Sequence, residues 1–301
     1  MPYYTTLSVY RLSELLFEKF STPGLFLSKD AVLSCYGLGR TTGLVVDIGG
    51  SGVNITPVSD GWVEGKGVNR SPITTRMLDE YMLYLIQNKL TVSNMPPIYP
   101  KYKINRSQNR SEYTPEGIRA ALTPLLPTYE VLDFPNIGHN YDRFMNLELG
   151  RQLKEAVGRV AEGNLSDMYA KYNSIPASVY ELPDGRVIDI GIERYQPYEV
   201  YFDPSLLPTD IFTRNLTTPG PAPTVLASFF SSSAQAIAKG LPRLVLDAVL
   251  GCEGDIQGNM LTGVVVTGGG AAVEGLPDRL RVEVCIHVYT SMYVPTLLLY
   301  A

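Results

Sequence analysis

Two apolar runs that each end in a glycine-rich bend, placed far apart in the sequence, constrain this chain most. The first is Val46-Asp47-Ile48-Gly49-Gly50-Ser51-Gly52 and the second is Val266-Thr267-Gly268-Gly269-Gly270-Ala271-Ala272. Each run is apolar up to its bend, as expected of a strand buried on both faces. Glycines lack a Cβ, so backbone N–H groups in such bends can approach a phosphate or ribose closely. An Asp at the strand end can hold Mg2+ through water. Neither bend has the Gly-Lys-Ser/Thr of a P-loop, nor a G-x-G-x-x-G opening a helix. Either bend alone is an ordinary turn. Together they suggest two loops facing one another around one nucleotide.

The segments between the bends follow from periodicity and breakers. Ser8 with Leu12, Leu15, Leu16 and Phe20 predicts a helix, stopped by Thr22-Pro23-Gly24. Leu25–Leu27 is expected as a short buried strand, and Ser28 as the cap of a helix through Tyr36. Leu44–Asp47, Val53–Val58 and Trp62–Val63 predict a meander with turns at Gly49–Gly52 and Ser59–Gly61. Thr74 or Thr75 caps a helix through Ile86. Residues 91–127 are punctuated by six prolines and carry Lys101, Lys103, Arg106 and Arg110. They form a solvated insertion, with partner docking as the alternative. Further helices are expected over Asn146–Glu162, Ser231–Leu250 (split at Gly240 and Pro242) and Leu276–Val282. A hairpin turns at Pro183-Asp184-Gly185, and a buried strand covers Gly263–Thr267.

Composition excludes several chemistries. Of 301 residues, 45% are hydrophobic and 18% charged, enough for a real core. The 25 basic and 30 acidic residues leave a net charge of −5, which argues against sequence-specific nucleic-acid binding. His139 and His287 are the only histidines, and Cys35, Cys252 and Cys285 are widely spaced without a CxxC. A multi-histidine metal site and a zinc or disulfide framework are thereby set aside. Cys35 is expected as a packed small apolar residue, not a nucleophile. Val284–Ala301 lacks Asp, Glu, Lys and Arg, but His287, Pro295 and several hydroxyls dilute it. A strand with an irregular end is expected there, and no membrane span.

Gly39-Arg40-Thr41-Thr42-Gly43 running into Leu44–Gly49 resembles the phosphate-loop region of the actin superfamily. Tyr180-Glu181-Leu182-Pro183-Asp184-Gly185 with Gly191-Ile192-Glu193-Arg194, then Phe202-Asp203-Pro204-Ser205, is similar to a second actin block. Gly268–Gly270 followed by Gly275-Leu276-Pro277-Asp278-Arg279-Leu280 is similar to the adenosine-side loop and its helix. These blocks agree in order and spacing over about residues 10–90 and 178–283. Pro57-Val58-Ser59-Asp60-Gly61 and Lys66 with Arg70-Ser71-Pro72 are most similar to the nuclear actin-related proteins. The resemblance is closest to the fourth class of these, the actin-like subunits of chromatin-remodelling and histone-acetyltransferase complexes.

The resemblance implies an α/β, actin-like ATPase-domain fold: a ribonuclease H-like sheet with helices and an inserted, mostly helical subdomain. Residues 1–42 would be a remnant of the first lobe and its linking helix. Residues 43–73 plus 210–301 would be the second-lobe core, and 74–209 the inserted nucleotide-covering subdomain. ATP or ADP with Mg2+ would be held by Asp47, Gly49, Gly50, Ser51, Gly52 and Gly268, Gly269, Gly270. Arg151, Lys154 and Glu155 would lie around the adenosine, or else form an ordinary solvated helix face. The first phosphate loop and the final actin helices would be missing from the chain. Actins position the attacking water with Gln, Asp and His, and the matching residues here are Asp30, Asp47 and Asn54. Asp30 adds negative charge beside a triphosphate, and Asn54 cannot take up a proton. Hydrolysis is therefore expected to be slow or absent. The implied partners are a helical segment of a remodelling ATPase and actin or other actin-like subunits, in the nucleus. The alternatives are a cytoskeletal, filament-forming ATPase and a nucleotide-free interaction module.

Overall fold

A computed structural model describes residues 6–106, 129–163, 176–207, 239–291 and 299–300. The chain divides into two compact units. One comprises Met1–Pro72, Leu241–Ala272 and Leu280–Ala301; the other comprises Ile73–Gly240 and Val273–Arg279.

The first unit is built on a mixed sheet. Its strands are β1 (Gly43–Gly49), β2 (Gly52–Ser59), β3 (Trp62–Val63), β4 (Asn69–Ser71), β9 (Val264–Thr267) and β10 (Leu299–Tyr300). The order is β10-β9-β1-β2-β3, with β4 also pairing β2. β9 runs parallel to β1, whereas β2 folds back antiparallel. Leu44, Val46, Ile48, Val53 and Ile55 are fully buried, each contributing roughly 1.5–3 kcal/mol. Helix α2 (Asp30–Gly37) covers one face, packing Ala31, Val32 and Cys35 on Val45, Val58 and Val265. Cys35 is thus a core residue, and burial pushes its thiol up. Helices α6 (Leu241–Leu250) and α7 (Gly254–Thr262) pack on β2, β4 and β1.

Several elements depart from the sequence expectations. Leu25–Leu27 forms no strand, because no neighbour pairs with it, and Phe26 is 84% exposed. Helix α2 is entered from Lys29 instead of Ser28, and the Asp30 carboxylate accepts the Ala31 N–H at 2.8 Å. Helix α1 (Thr6–Glu14) ends in a π-helical segment, Leu15–Lys19. Helix α7 was not anticipated, since Gly254 and Gly258 mask its pattern. Helix α8 (Leu276–Ser291) runs on through the first part of the Val284–Ala301 segment expected as a strand; 292–298 lie outside the described residues, and Leu299–Tyr300 is β10. Leu276, Leu280, Val284 and Val288 are all buried at i+4 spacing, and that helical stripe overrides the β-branched composition. The expected 231–250 helix is described only from 239, and α6 begins at Leu241, beside Pro242; its earlier part lies outside the described residues. No described helix is long and apolar enough to cross a membrane.

In the second unit, α3 (Thr75–Val92) packs on α4 (His139–Val157). Thr74 caps α3, its hydroxyl accepting the Met77 N–H at 3.1 Å. Met82, Ile86 and Leu90 meet Leu149, Leu153 and Val157, each set at i+4 spacing on one helix face. The hairpin β7 (Ser178–Glu181) and β8 (Val187–Ile190) adds Leu182, Ile188 and Ile190 to this core, and the short helix α5 (Gln196–Glu199) follows. Strands β5 (Ile104–Arg106) and β6 (Tyr129–Val131) form a small ribbon. The rest of the proline-rich insertion, 107–128, lies outside the described residues.

Candidate functional site

Strands β1 and β9 run in register, Asp47 beside Thr267, so both bends leave the same sheet edge. After Asp47 the chain turns through Gly50 and Ser51 and closes on β2 by the Gly49–Gly52 pair. Gly268 has φ +94°, and a Cβ there would lie 2.5 Å from both Asp47 Oδ1 and the Ile48 carbonyl oxygen. Only glycine fits where the two bends abut. The expectation that the bends face each other across a gap is thereby corrected. They lie side by side, at the carboxyl ends of adjacent strands, where open α/β sheets hold ligands.

Gly268 is required by the protein's own packing, whereas Gly269 is not. A Cβ on Gly269 would meet nothing within 4 Å, and the residue is exposed. That leaves an accessible stretch of backbone beside Asp47, the kind of surface an anion can approach.

Register also sets a polar row across four strands. Thr267, Asp47, Asn54 and Arg70 are successive cross-strand neighbours on β9, β1, β2 and β4. Directly paired residues share a face. Asp47 stands two residues on from Val45 and so shares its face, the one that α2 covers. All four residues are half-buried. Asp30, the first residue of α2, is near enough to act on Asp47. Burial first, and the Asp30 charge second, push the Asp47 carboxyl up from its ordinary value. Asp30, Asp47 and Asn54 are thus gathered in one place. Among the described residues no group of three or more His, Cys, Asp or Glu is arranged to hold a metal ion.

Arg70 is the member that sequence reasoning missed as a site residue. Its guanidinium Nη2 donates to the Ser51 carbonyl at 2.7 Å, reaching into the β1–β2 bend. Gly52 (φ +140°) makes room for this, since a Cβ there would lie 2.9 Å from the Ser71 carbonyl oxygen and 3.1 Å from Arg70 Nε. Counting back along the hairpin from Gly50–Ser51 pairs Asp47 with Asn54. The further step to Arg70 needs the β2–β4 register, which no local motif supplies.

Arg151, Lys154 and Glu155 all lie on α4, in the second unit. Arg151 and Glu155 face solvent, and Arg151 pairs with Glu148 at 2.9 Å. Lys154 does not belong to a solvated face. Its side chain is 7% exposed, and Nζ lies 2.7 Å from Asp79 Oδ1. It also approaches the Thr75 carbonyl at 3.5 Å. Burial outweighs the attraction of Lys154, so the Asp79 carboxyl sits above its ordinary range. The pair lies where α3 and α4 come closest, since a Cβ on Gly150 would collide with the Asp79 carbonyl. In this geometry the Lys154 charge serves the joint between the two helices.

The profile of the actin family matches residues 4–297. Actin-related protein 4 of Oryza sativa subsp. indica is 32% identical over 275 residues, covering 91% of this chain and 54% of that protein. Actin-related protein 4 of Arabidopsis thaliana is 29% identical over 272 residues, covering 90% and 54%. The SWI/SNF and RSC complexes subunit arp42 of Schizosaccharomyces pombe is 27% identical over 278 residues, covering 91% and 59%. The chain therefore spans somewhat more than half the length of these relatives.

Proposed function

The chain belongs to the actin family, and we propose that it serves as an actin-related scaffold subunit of a nuclear chromatin-remodelling assembly, holding an adenine nucleotide with Mg2+ and hydrolysing it slowly. The observation that carries the nucleotide reading is the pair of abutting glycine bends beside the Thr267–Asp47–Asn54–Arg70 row. The residues fit phosphate: the backbone at Gly269 is open, and the bend at Gly49–Gly52 is braced by Arg70. Backbone N–H groups of both bends would hold the phosphates. Asp47 would take Mg2+ through water, the cation supplying charge neutralisation to the phosphates.

Slow hydrolysis follows from the same row. Water attack on phosphate depends on positioning and on stabilising charge. Asp30 brings a second carboxylate next to Asp47, and Asn54 has no basic nitrogen to accept a proton. The names of these relatives support the complex-subunit part of the reading, as does the chain's long match to them.

Two measurements test the proposal. Mg-ATP at about 100 times Kd stabilises a binding protein by about 2.7 kcal/mol, so the melting temperature of the full chain is expected to rise by about 4 °C. No rise at any nucleotide concentration contradicts the nucleotide reading. Affinity purification from nuclei is expected to recover subunits of a remodelling complex. Recovery of filament proteins in their place contradicts the scaffold reading.

A further inference from the structure

We propose that Arg70 is a positioning residue for the phosphate-side bend, acting through the Ser51 carbonyl; the proposal rests on the nucleotide reading above. Three observations carry it. Arg70 ends a polar row whose other charged member is Asp47, so its position is fixed by register on β4 and not by a loose surface conformation. Its Nη2 donates to the Ser51 carbonyl at 2.7 Å, a charge-assisted bond to one of the two residues at the tip of the bend. Gly52 lacks the side chain that would push Arg70 Nε and the Ser71 carbonyl away.

A two-residue turn rich in glycine has little intrinsic reason to keep one conformation. An anchored carbonyl at Ser51 fixes the peptide plane that follows it, and with it the direction of the Gly52 N–H. The bend is then organised before the ligand arrives, so less ordering entropy is lost on binding. The planar fork of Arg70 suits this task. A lysine would keep the charge but would lose the planar guanidinium that reaches the Ser51 carbonyl.

The test is nucleotide affinity of the full chain, wild type against Arg70→Gln and Arg70→Lys, with Mg-ATP and with adenosine. Both substitutions are expected to weaken Mg-ATP about tenfold, the loss of one charge-assisted hydrogen bond. Adenosine affinity is expected to stay within about twofold, because it has no phosphate to meet the bend. A merely structural defect would weaken both ligands alike, and that result overturns the proposal. Full rescue of Mg-ATP affinity by Arg70→Lys also overturns it, since charge alone would then suffice. If Arg70→Gln does not fold, Arg70→Lys decides, wild-type affinity being the contrary result. If the wild type binds neither ligand, the nucleotide reading itself falls, an outcome distinct from failure at Arg70.

Discussion

In the first unit the charged groups Asp30, Asp47 and Arg70 gather at a sheet edge, beside a backbone that is open at Gly269. In the second unit Lys154 with Asp79, and Arg279 with Glu199, are sunk in the packing, all with less than a tenth of their side chains exposed. Breaking a deeply buried pair strands a charge, so such pairs set stability. Exposed or half-buried charges of mixed sign beside an open backbone cost less to disturb, and their effects belong to ligand affinity. The same residue types thus have different uses according to depth, and substitutions should separate them.

The largest effect is expected at Arg279. It donates to the carbonyls of Ala161 and Gly163, pairs with Glu199 at 3.4 Å and lies over the Phe202 ring. Arg279→Ala should lose about 3–5 kcal/mol in urea unfolding, because Glu199 is left buried without its counter-charge. A loss below about 1 kcal/mol would erase the contrast between the units.

Lys154→Met should come next and should depend on pH. Asp79 has its folded pKa raised by burial. The folded form therefore holds that proton more tightly than the unfolded form, and the contribution of Asp79 to stability falls as pH rises from the ordinary carboxylate range to the raised value. Without Lys154 that fall should steepen. The variant should lose about 3 kcal/mol near about pH 8 and less near about pH 5. Equal losses at both pH values would mean that Asp79 keeps its charge without Lys154.

Substitutions at the bends sharpen the comparison further. Gly268→Ala should cost about 2 kcal/mol, since it places a Cβ against Asp47 and Ile48 at positive φ. Asp30→Gln removes the second-largest cause of the Asp47 shift, so the Asp47 carboxyl should move down toward its ordinary value in an NMR titration. An unmoved titration would mean that burial alone sets it. Gly269→Ala should leave stability within about 0.5 kcal/mol while weakening Mg-ATP binding. A stability loss like that of Gly268→Ala would show that both glycines serve the fold.

The elements around the site were legible from local signals. The apolar run Leu44–Val46 ending in Asp47, the turn at Gly49–Gly52 and a threonine cap before the helix through Ile86 each follow from neighbouring residues, and each is present, the cap being Thr74. What stayed illegible depended on partners distant in sequence. Leu25–Leu27 has strand composition but no strand to pair with. The helix over Gly254–Thr262 is held by packing on β1 and β2 despite its two glycines. Lys154 looks like a surface residue until α3 brings Asp79 to it. Arg70 joins the site through a strand register that no motif states. The side-by-side placement of the bends likewise comes from parallel pairing of β1 with β9.

Amide hydrogen exchange on the full chain, with and without Mg-ATP, tests the central claim most directly. Residues 49–52 and 268–270 are expected to gain protection together, because both sets of N–H groups would meet one ligand at one sheet edge. Protection at neither segment, or at only one of them, would contradict the account.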